Sequence, residues 1–314
     1  MNKQQGSDHP QPSARARDLV RGAYDLHVHT GPDLLPRSAS DLDLAYRCRE
    51  RGLAGFVIKS HYIPSAPRAA LVRQMVPEIH ALGSIVLNNA VGGINPIAVE
   101  IAARAGARIV WMPTFDSANE MSGQSSLPPG SKQPQWASLQ QELREQGVKS
   151  DPVAVVDKEG RVLPEVQSVL RAIAHHRLVL ATGHLSPNEI FAVVEAALAE
   201  GVRHIIITHP DYPSQNLSVE DQTALARQGA FLERCFVTPY SGKISWERLS
   251  ANIRAVGPEH SFLSTDLGQP DNPPIEDGLP LLVDHLLTAG FSEKEVITMA
   301  VTNTVRLATG GEAS

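Results

Sequence analysis

Tyr24-Asp25-Leu26-His27-Val28-His29-Thr30-Gly31-Pro32-Asp33 reads as a short strand that stops on Gly31-Pro32. Leu26 and Val28 alternate with His27 and His29, and residues two apart on a strand point to the same face. Two imidazoles therefore leave the end of one rigid element together, which suits the grip of a metal ion. The pair by itself fits two histidines on a solvated strand face equally well. The rest of the chain decides.

Outward from this strand one unit recurs: helix, glycine-containing corner, apolar strand, polar end. Ser40 caps a helix bearing Leu42, Leu44, Ala45 and Leu53, and Gly55-Phe-Val-Ile-Lys-Ser-His61 follows as the second strand. A helix over 68–82 leads to a strand over 84–89, and a helix over 96–105 leads to one over 107–113. Four further strands lie at 178–184, 204–210, 230–237 and 260–266. The intervening helices start at Pro164, at Pro187, at a capping box from Ser218 to Asp221, and at Trp246. The stretch 279–307 is helical, with another capping box from Ser292 to Glu295. Eight such alternations predict an α/β fold of the (β/α)8 TIM barrel type. An open doubly wound sheet would show a glycine-rich phosphate cradle in its first turn, and none is present.

Residues 115–165 interrupt the rhythm after strand four. Ser, Gly, Pro and Gln dominate Met121 to Gln135, which predicts a long mobile loop. Within the same insertion, 153–157 and 161–163 flank Lys158-Glu159-Gly160 as a hairpin. An insertion of this kind suggests a lid or a wall of the active site. The first seventeen residues are polar and read as a disordered tail, leaving 18–314 for the barrel.

Composition narrows the partners. A hydrophobic content of 42% supports a large core, and a net charge of −6 with both signs interspersed offers no basic stripe. Nucleic acid and membrane surfaces are thereby disfavoured, and a small-molecule substrate is expected, with a homo-oligomer left open. Cys48 and Cys235 form no CxxC and read as reduced core residues, which points to the cytoplasm. No apolar run is long enough to span a bilayer, and the N-terminus lacks the apolar core of a signal peptide.

In a barrel of this type the chemistry sits at the C-terminal ends of the strands. Five of the twelve histidines fall there: His27, His29, His61, His184 and His209. Lys59 ends strand two and Asp266 ends strand eight. The remaining histidines lie in the tail, on helices or at strand starts, and read as structural or solvated. Buried polar groups without partners are costly, and a divalent metal would satisfy the whole set. Zinc is the expected ion, one or two per chain, with Mn2+ or Fe2+ as alternatives.

Tyr24-Asp-Leu-His-Val-His29, Thr182-Gly-His184, Ile207-Thr-His209 and Ser264-Thr-Asp266 resemble, in that order, the metal-site motifs of the amidohydrolase superfamily. The resemblance covers 23–307. It implies His27 and His29 on one metal, His184 and His209 on a second or near it, and Asp266 as ligand and proton shuttle. Many binuclear members carry a carboxylated lysine at the end of strand four, and Ile109-Val-Trp-Met-Pro-Thr114 has none. Lys59 is the nearest substitute as a carbamate bridge; a lysine holding a substrate carboxylate or salt-bridged at the mouth fits the same position. Glu233 on strand seven is a further candidate ligand.

The expected activity is metal-dependent hydrolysis of a small amide, cyclic amide or lactone, with Asp266 moving the proton and His209 and His61 next in line. Two other activities stay open. His61 with the Thr208-His-Pro210 turn is similar to PHP-type phosphoesterases, whose barrels usually have seven strands. Some relatives of the amidohydrolases are decarboxylases at a single metal. A barrel that keeps metal only for stability is the least expected outcome. Tyr62, Arg68, Trp111, Tyr212, Tyr240 and Gln269 fall near strand ends as pocket-shaping candidates.

Overall fold

Short runs of apolar and β-branched residues form eight strands. They are β1 (Tyr24–Val28), β2 (Gly55–Ile58), β3 (His80–Val86), β4 (Ala107–Trp111), β5 (Val179–Ala181), β6 (His204–Ile207), β7 (Phe231–Cys235) and β8 (Ser261–Ser264). The computed structural model describes residues 9–124, 135–148 and 150–311. Each strand pairs in parallel with the next in sequence order. The ring closes just past β8, where His29 N donates to Leu267 O at 2.8 Å and Asp266 N donates to His27 O at 2.9 Å. The predicted (β/α)8 barrel is the observed fold, with eight strands where the phosphoesterase type has seven.

The helices are α1 (Ala14–Leu19), α2 (Asp41–Arg51), α3 (Ala66–Met75), α4 (Pro96–Arg104), α5 (Ala118–Gln124), α6 (Gln135–Glu145), α7 (Pro164–His175), α8 (Pro187–Ala199), α9 (Val219–Arg227), α10 (Val237–Tyr240), α11 (Trp246–Val256), α12 (Ile275–Thr288), α13 (Glu293–Ile297) and α14 (Asn303–Thr309). Inside the barrel Leu26, Val57, Ile109, Trp111, Ile206 and Phe262 pack into one buried cluster. Two larger apolar layers lie between the strands and their helices. The β1–β2 register shifts between Asp25 and Val28. That irregularity lets Leu26 fill the barrel while His27 and His29 both still reach its mouth, a re-aiming typical of bulges beside active sites.

Three boundaries differ from the sequence reading. The third strand starts at His80 and its helix ends at Met75, not near Leu82. Pro77 has no amide hydrogen and turns the chain out of the helix. The supposed tail is ordered from Ser13 onward. The Ser13 side chain caps α1, its N and Oγ donate to Asp284 at 2.7 and 2.6 Å, and Ala16 is fully buried. Charge-rich composition hid a helix of one and a half turns; residues 1–8 lie outside the described residues.

The insertion is docked at both of its described ends. Gln140 Nε2 donates to Asp116 Oδ1 at 2.7 Å, and Asn89 Nδ2 donates to Asp151 O at 2.9 Å. Val156 bridges Val162 in antiparallel fashion, as the hairpin signal predicts. Of the expected loop over 121–135, residues 121–124 belong to α5, and 125–134 lie outside the described residues. Cys48 and Cys235 are free and buried. Among the described residues no helix is long and apolar enough to cross a membrane.

Candidate metal centre

The C-terminal ends of the strands open into a cavity of about 500 Å³. His29, Lys59, His61, His184, His209 and Asp266 line it, so five elements deliver side chains to one space. His27 lies just beneath, fully buried against Trp111. Its Nε2 and the Nε2 of His29 are each 3.1 Å from Asp266 Oδ1. Lys59 Nζ is 3.0 Å from the same His27 nitrogen and sits 5.3 Å over the Trp111 ring.

Which ring nitrogen faces the cavity bare is set from behind. His27 Nδ1 donates to Glu233 Oε1 at 3.0 Å, and His29 Nδ1 donates to the Lys59 carbonyl at 2.9 Å. His209 Nδ1 donates to Gln215 Oε1 at 2.9 Å, and His184 Nδ1 faces Glu120 Oε2 at 3.2 Å. Burial keeps His29 and His209 neutral, so these two rings turn an unprotonated Nε2 toward the mouth, while His27 Nε2 lies between Asp266 Oδ1 and Lys59 Nζ.

His61 is the exception. Its Nδ1 lies 2.9 Å from Thr114 Oγ1, which already accepts from Asn88 Nδ2 at 2.8 Å. His61 Nδ1 is the acceptor recorded within reach of the Thr114 hydroxyl hydrogen, an arrangement that suits a His61 tautomer with its hydrogen on Nε2.

Burial works against charge on every one of these groups. It carries Lys59 below the ordinary amine value and His61 well below the usual imidazole range. Burial and then the Arg37 charge bring His29 to about 3; burial and then His184 bring His209 to about 3. His27 behaves differently: burial and Lys59 push it down, yet Asp266 and Glu233 lift it to about 9. Burial alone would raise Glu233, but the His27 charge overrides it and holds the carboxyl at about 2. Asp266 is held well below the carboxylate range against burial, chiefly by His27.

A metal fits this arrangement. His27 Nε2, His29 Nε2 and Asp266 Oδ1 lie within 4.8 Å of one another. Without a metal, the proton that Asp266 and Glu233 favour on His27, with Lys59 Nζ beside it, supplies the positive charge that an ion would bring to these donors. Two imidazoles and one carboxylate form a donor set suited to Zn2+ and also to Mn2+ or Fe2+. A second group within the same distance, formed by His27, Glu233 and Cys235, is fully buried beneath the cavity.

The backbone serves the same end. Asp266 has φ +54° and His209 φ +24°, left-handed conformations that turn both side chains sharply off their strands. Past Asp266 the chain skirts β1 so closely that a Cβ on Gly268 would lie 1.8 Å from the His29 carbonyl oxygen. Gly183, at φ +61°, packs against the Met112 and Pro113 carbonyls, which explains the glycine of Thr182-Gly-His184.

The remaining sequence candidates divide. Tyr212 and Gln269 line the cavity, and Tyr62 packs on Phe115. Arg68 does not line it, being tied to Asp41 Oδ1 and to Thr30 O, both at 2.7 Å. Tyr240 stacks on Phe236 away from the mouth, and Trp111 forms the floor. Glu233 supports the site from behind: Oε1 also accepts from Ser264 and Oε2 from His209 N. Sequence reasoning missed Glu120, Gln215, Thr114 and Arg37, which come from segments without a motif.

Residues 22–233 match the model of DUF6282, described as a family of unknown function, over more than half of the chain. The chain belongs to this family. No curated protein matches it. Solved structures resemble this DUF6282 chain in fold. An amidohydrolase from Pseudomonas aeruginosa is 12% identical with a TM-score of 0.56, covering 94% of this chain and 97% of its own. A 2,6-dihydroxybenzoate decarboxylase from Rhizobium is 12% identical with a TM-score of 0.54, covering 93% and 100%. A phosphotriesterase homology protein from Escherichia coli is 12% identical with a TM-score of 0.55, covering 91% and 98%. At these identities the likeness is one of barrel architecture.

Proposed function

We propose that this DUF6282 chain is a metal-dependent hydrolase of the amidohydrolase kind, acting on a small amide, cyclic amide or lactone. The single observation that carries this is the convergence of two imidazole nitrogens, each ring fixed from behind, and Asp266 Oδ1 at the floor of an open cavity. His27, His29 and Asp266 hold the ion, with Lys59, as a carbamate, and His184 and His209 within reach of a second or of an enlarged first shell. Zinc suits the donor set best. A bound divalent cation supplies Lewis acidity at this position and makes a water more acidic.

The chain's own groups do the rest. Asp266 Oδ1 is engaged by the two histidines, while Oδ2 has no hydrogen-bond partner among the described residues. That oxygen accepts the proton of the attacking water and returns it to the leaving group. His61, kept neutral by burial, donates from Nε2 to the substrate carbonyl oxygen as negative charge grows there.

Elemental analysis of the purified protein, paired with a screen of lactones, cyclic amides and phosphate esters, tests the proposal. About one or two zinc ions per chain with turnover of a carbonyl substrate supports it. Metal-free protein after zinc loading and dialysis sinks it. A decarboxylase is the second reading, favoured by one compact three-ligand cluster and by Thr114, not lysine, after β4. Carbon dioxide release without consumption of water distinguishes it.

A further inference from the structure

Arg37 is a strongly basic side chain buried at the cavity wall, and the metal site proposed above has no use for it. Its side chain is only 6% exposed, yet it lines the cavity. Asp33 Oδ2 accepts from Arg37 Nε at 2.7 Å and lies beside Nη2. The other Asp33 oxygen is occupied by Leu34 N at 2.9 Å and Ser60 Oγ at 3.3 Å. The ion pair thus grips the guanidinium from its Nε side and fixes its plane. Nη2 lacks a well-directed hydrogen bond, and among the described residues none accepts from Nη1. What remains is the Nη1–Nη2 edge, a rigid two-pronged donor of the geometry that matches a carboxylate.

The surroundings extend this. Arg37 follows β1, Lys243 follows β7, and β8 with Asp266 stands between those strands in the ring. Lys243 lines the same cavity, with Nζ 4.6 Å over the Tyr212 ring. One flank of the mouth therefore carries two cations, and Asp271 is the one acidic lining residue there besides Asp266. Leu35, Phe115 and Val237 supply apolar lining between the polar groups. The Arg37 charge is close enough to weigh on both His29 and His61, which places it beside the reacting groups.

We propose that Arg37, assisted by Lys243, binds a carboxylate of the substrate, so that the molecule processed here is a small carboxylic acid with a compact apolar body. The proposal rests on the hydrolase reading for its location, because it concerns whatever enters that mouth. Arg37 anchors the anion and turns the reactive bond toward Asp266 and His61. A neutral analogue leaves the guanidinium edge buried and unpaired, which is where discrimination arises.

The test is calorimetric titration of the full-length, zinc-loaded protein with benzoate, its neutral isostere benzamide, and methylphosphonate. Benzoate saturates the wild type and benzamide binds at least about tenfold more weakly, since a charge-assisted hydrogen bond is roughly twice as strong as a neutral one. Arg37→Gln weakens benzoate by about tenfold and leaves benzamide unchanged. Arg37→Lys, which keeps the charge that Asp33 needs but loses the fork, weakens benzoate several-fold and decides the matter if the glutamine variant does not fold. Lys243→Gln gives a smaller loss. Equal benzoate affinity in wild type and folded Arg37 variants overturns the proposal. So does absence of saturable benzoate binding, or tighter Arg37-dependent binding of methylphosphonate. Zinc content measured on the same samples separates the two failures: loss of zinc sinks the hydrolase reading, while the benzoate comparison stands by itself.

Discussion

The two halves of the barrel mouth are built differently. On the side of β1, β2 and β8, the ligand atoms are locked by the barrel itself: Glu233 and the Lys59 carbonyl orient the two histidines, and the ladder between β1 and residues 266–267 closes the ring beside them. On the side of β5 and β6, His209 is held by Gln215, while His184 Nδ1 faces Glu120, a residue of the insertion, at 3.2 Å. Asn119 of the same helix also donates to the His184 and Ser214 carbonyls. The first half is complete once the barrel folds. The second is complete only while α5 is docked. The difference predicts one permanent metal position and one that depends on the insertion.

Replacing both His27 and His29 by alanine should give the largest effect. Several kcal/mol of electrostatic stabilisation disappear, so turnover falls by about 10³-fold or more, and bound zinc is lost after dialysis. Full zinc occupancy in that variant would mean that the β5–β6 half holds the ion, reversing the comparison. Asp266→Asn comes next. The amide keeps its shape and an oxygen for coordination but cannot take the proton, so turnover drops by about 10² to 10⁴-fold with metal retained. Near wild-type rates across a pH series would remove Asp266 from the proton path. Glu120→Gln should give the smallest change, about 10 to 100-fold in affinity for any second ion, with the first ion untouched. Titration of the metal-free variant with zinc reads both sites, and simultaneous loss of both ions would show a single coupled site.

Much of this was visible in the chain. The strand-and-helix alternation announced the barrel because each unit carries its own apolar period, and His27, His29, His184, His209 and Asp266 sit at strand ends that short motifs mark. The supporting atoms were not visible, because support is a matter of distance in space. Glu233 reaches His27 across 206 positions of sequence, and Thr114 reaches His61 across 53. Nothing in a list of residues says that Thr114 stands between Asn88 and His61 and bonds to both. Arg37 was overlooked because its loop has no strand to mark its direction. The shift within β1 was hidden for a subtler reason: strict alternation would send Leu26 and His27 to opposite faces, and only the paired register shows the irregularity.

Selection for heat resistance would work against this mouth. His209 and Asp266 hold left-handed backbone conformations that cost about 1 kcal/mol or more each in a residue with a side chain. Glycine relieves that strain at the cost of the contacts these side chains make, Asp266 with His27 and His29 and His209 with Gln215. Any variant that traded these side chains for a relaxed backbone would have less to offer a metal or a substrate. Engineering for durability should therefore hold positions 209 and 266 fixed and draw its gains from the far end of the barrel, where α1 is fastened to Asp284.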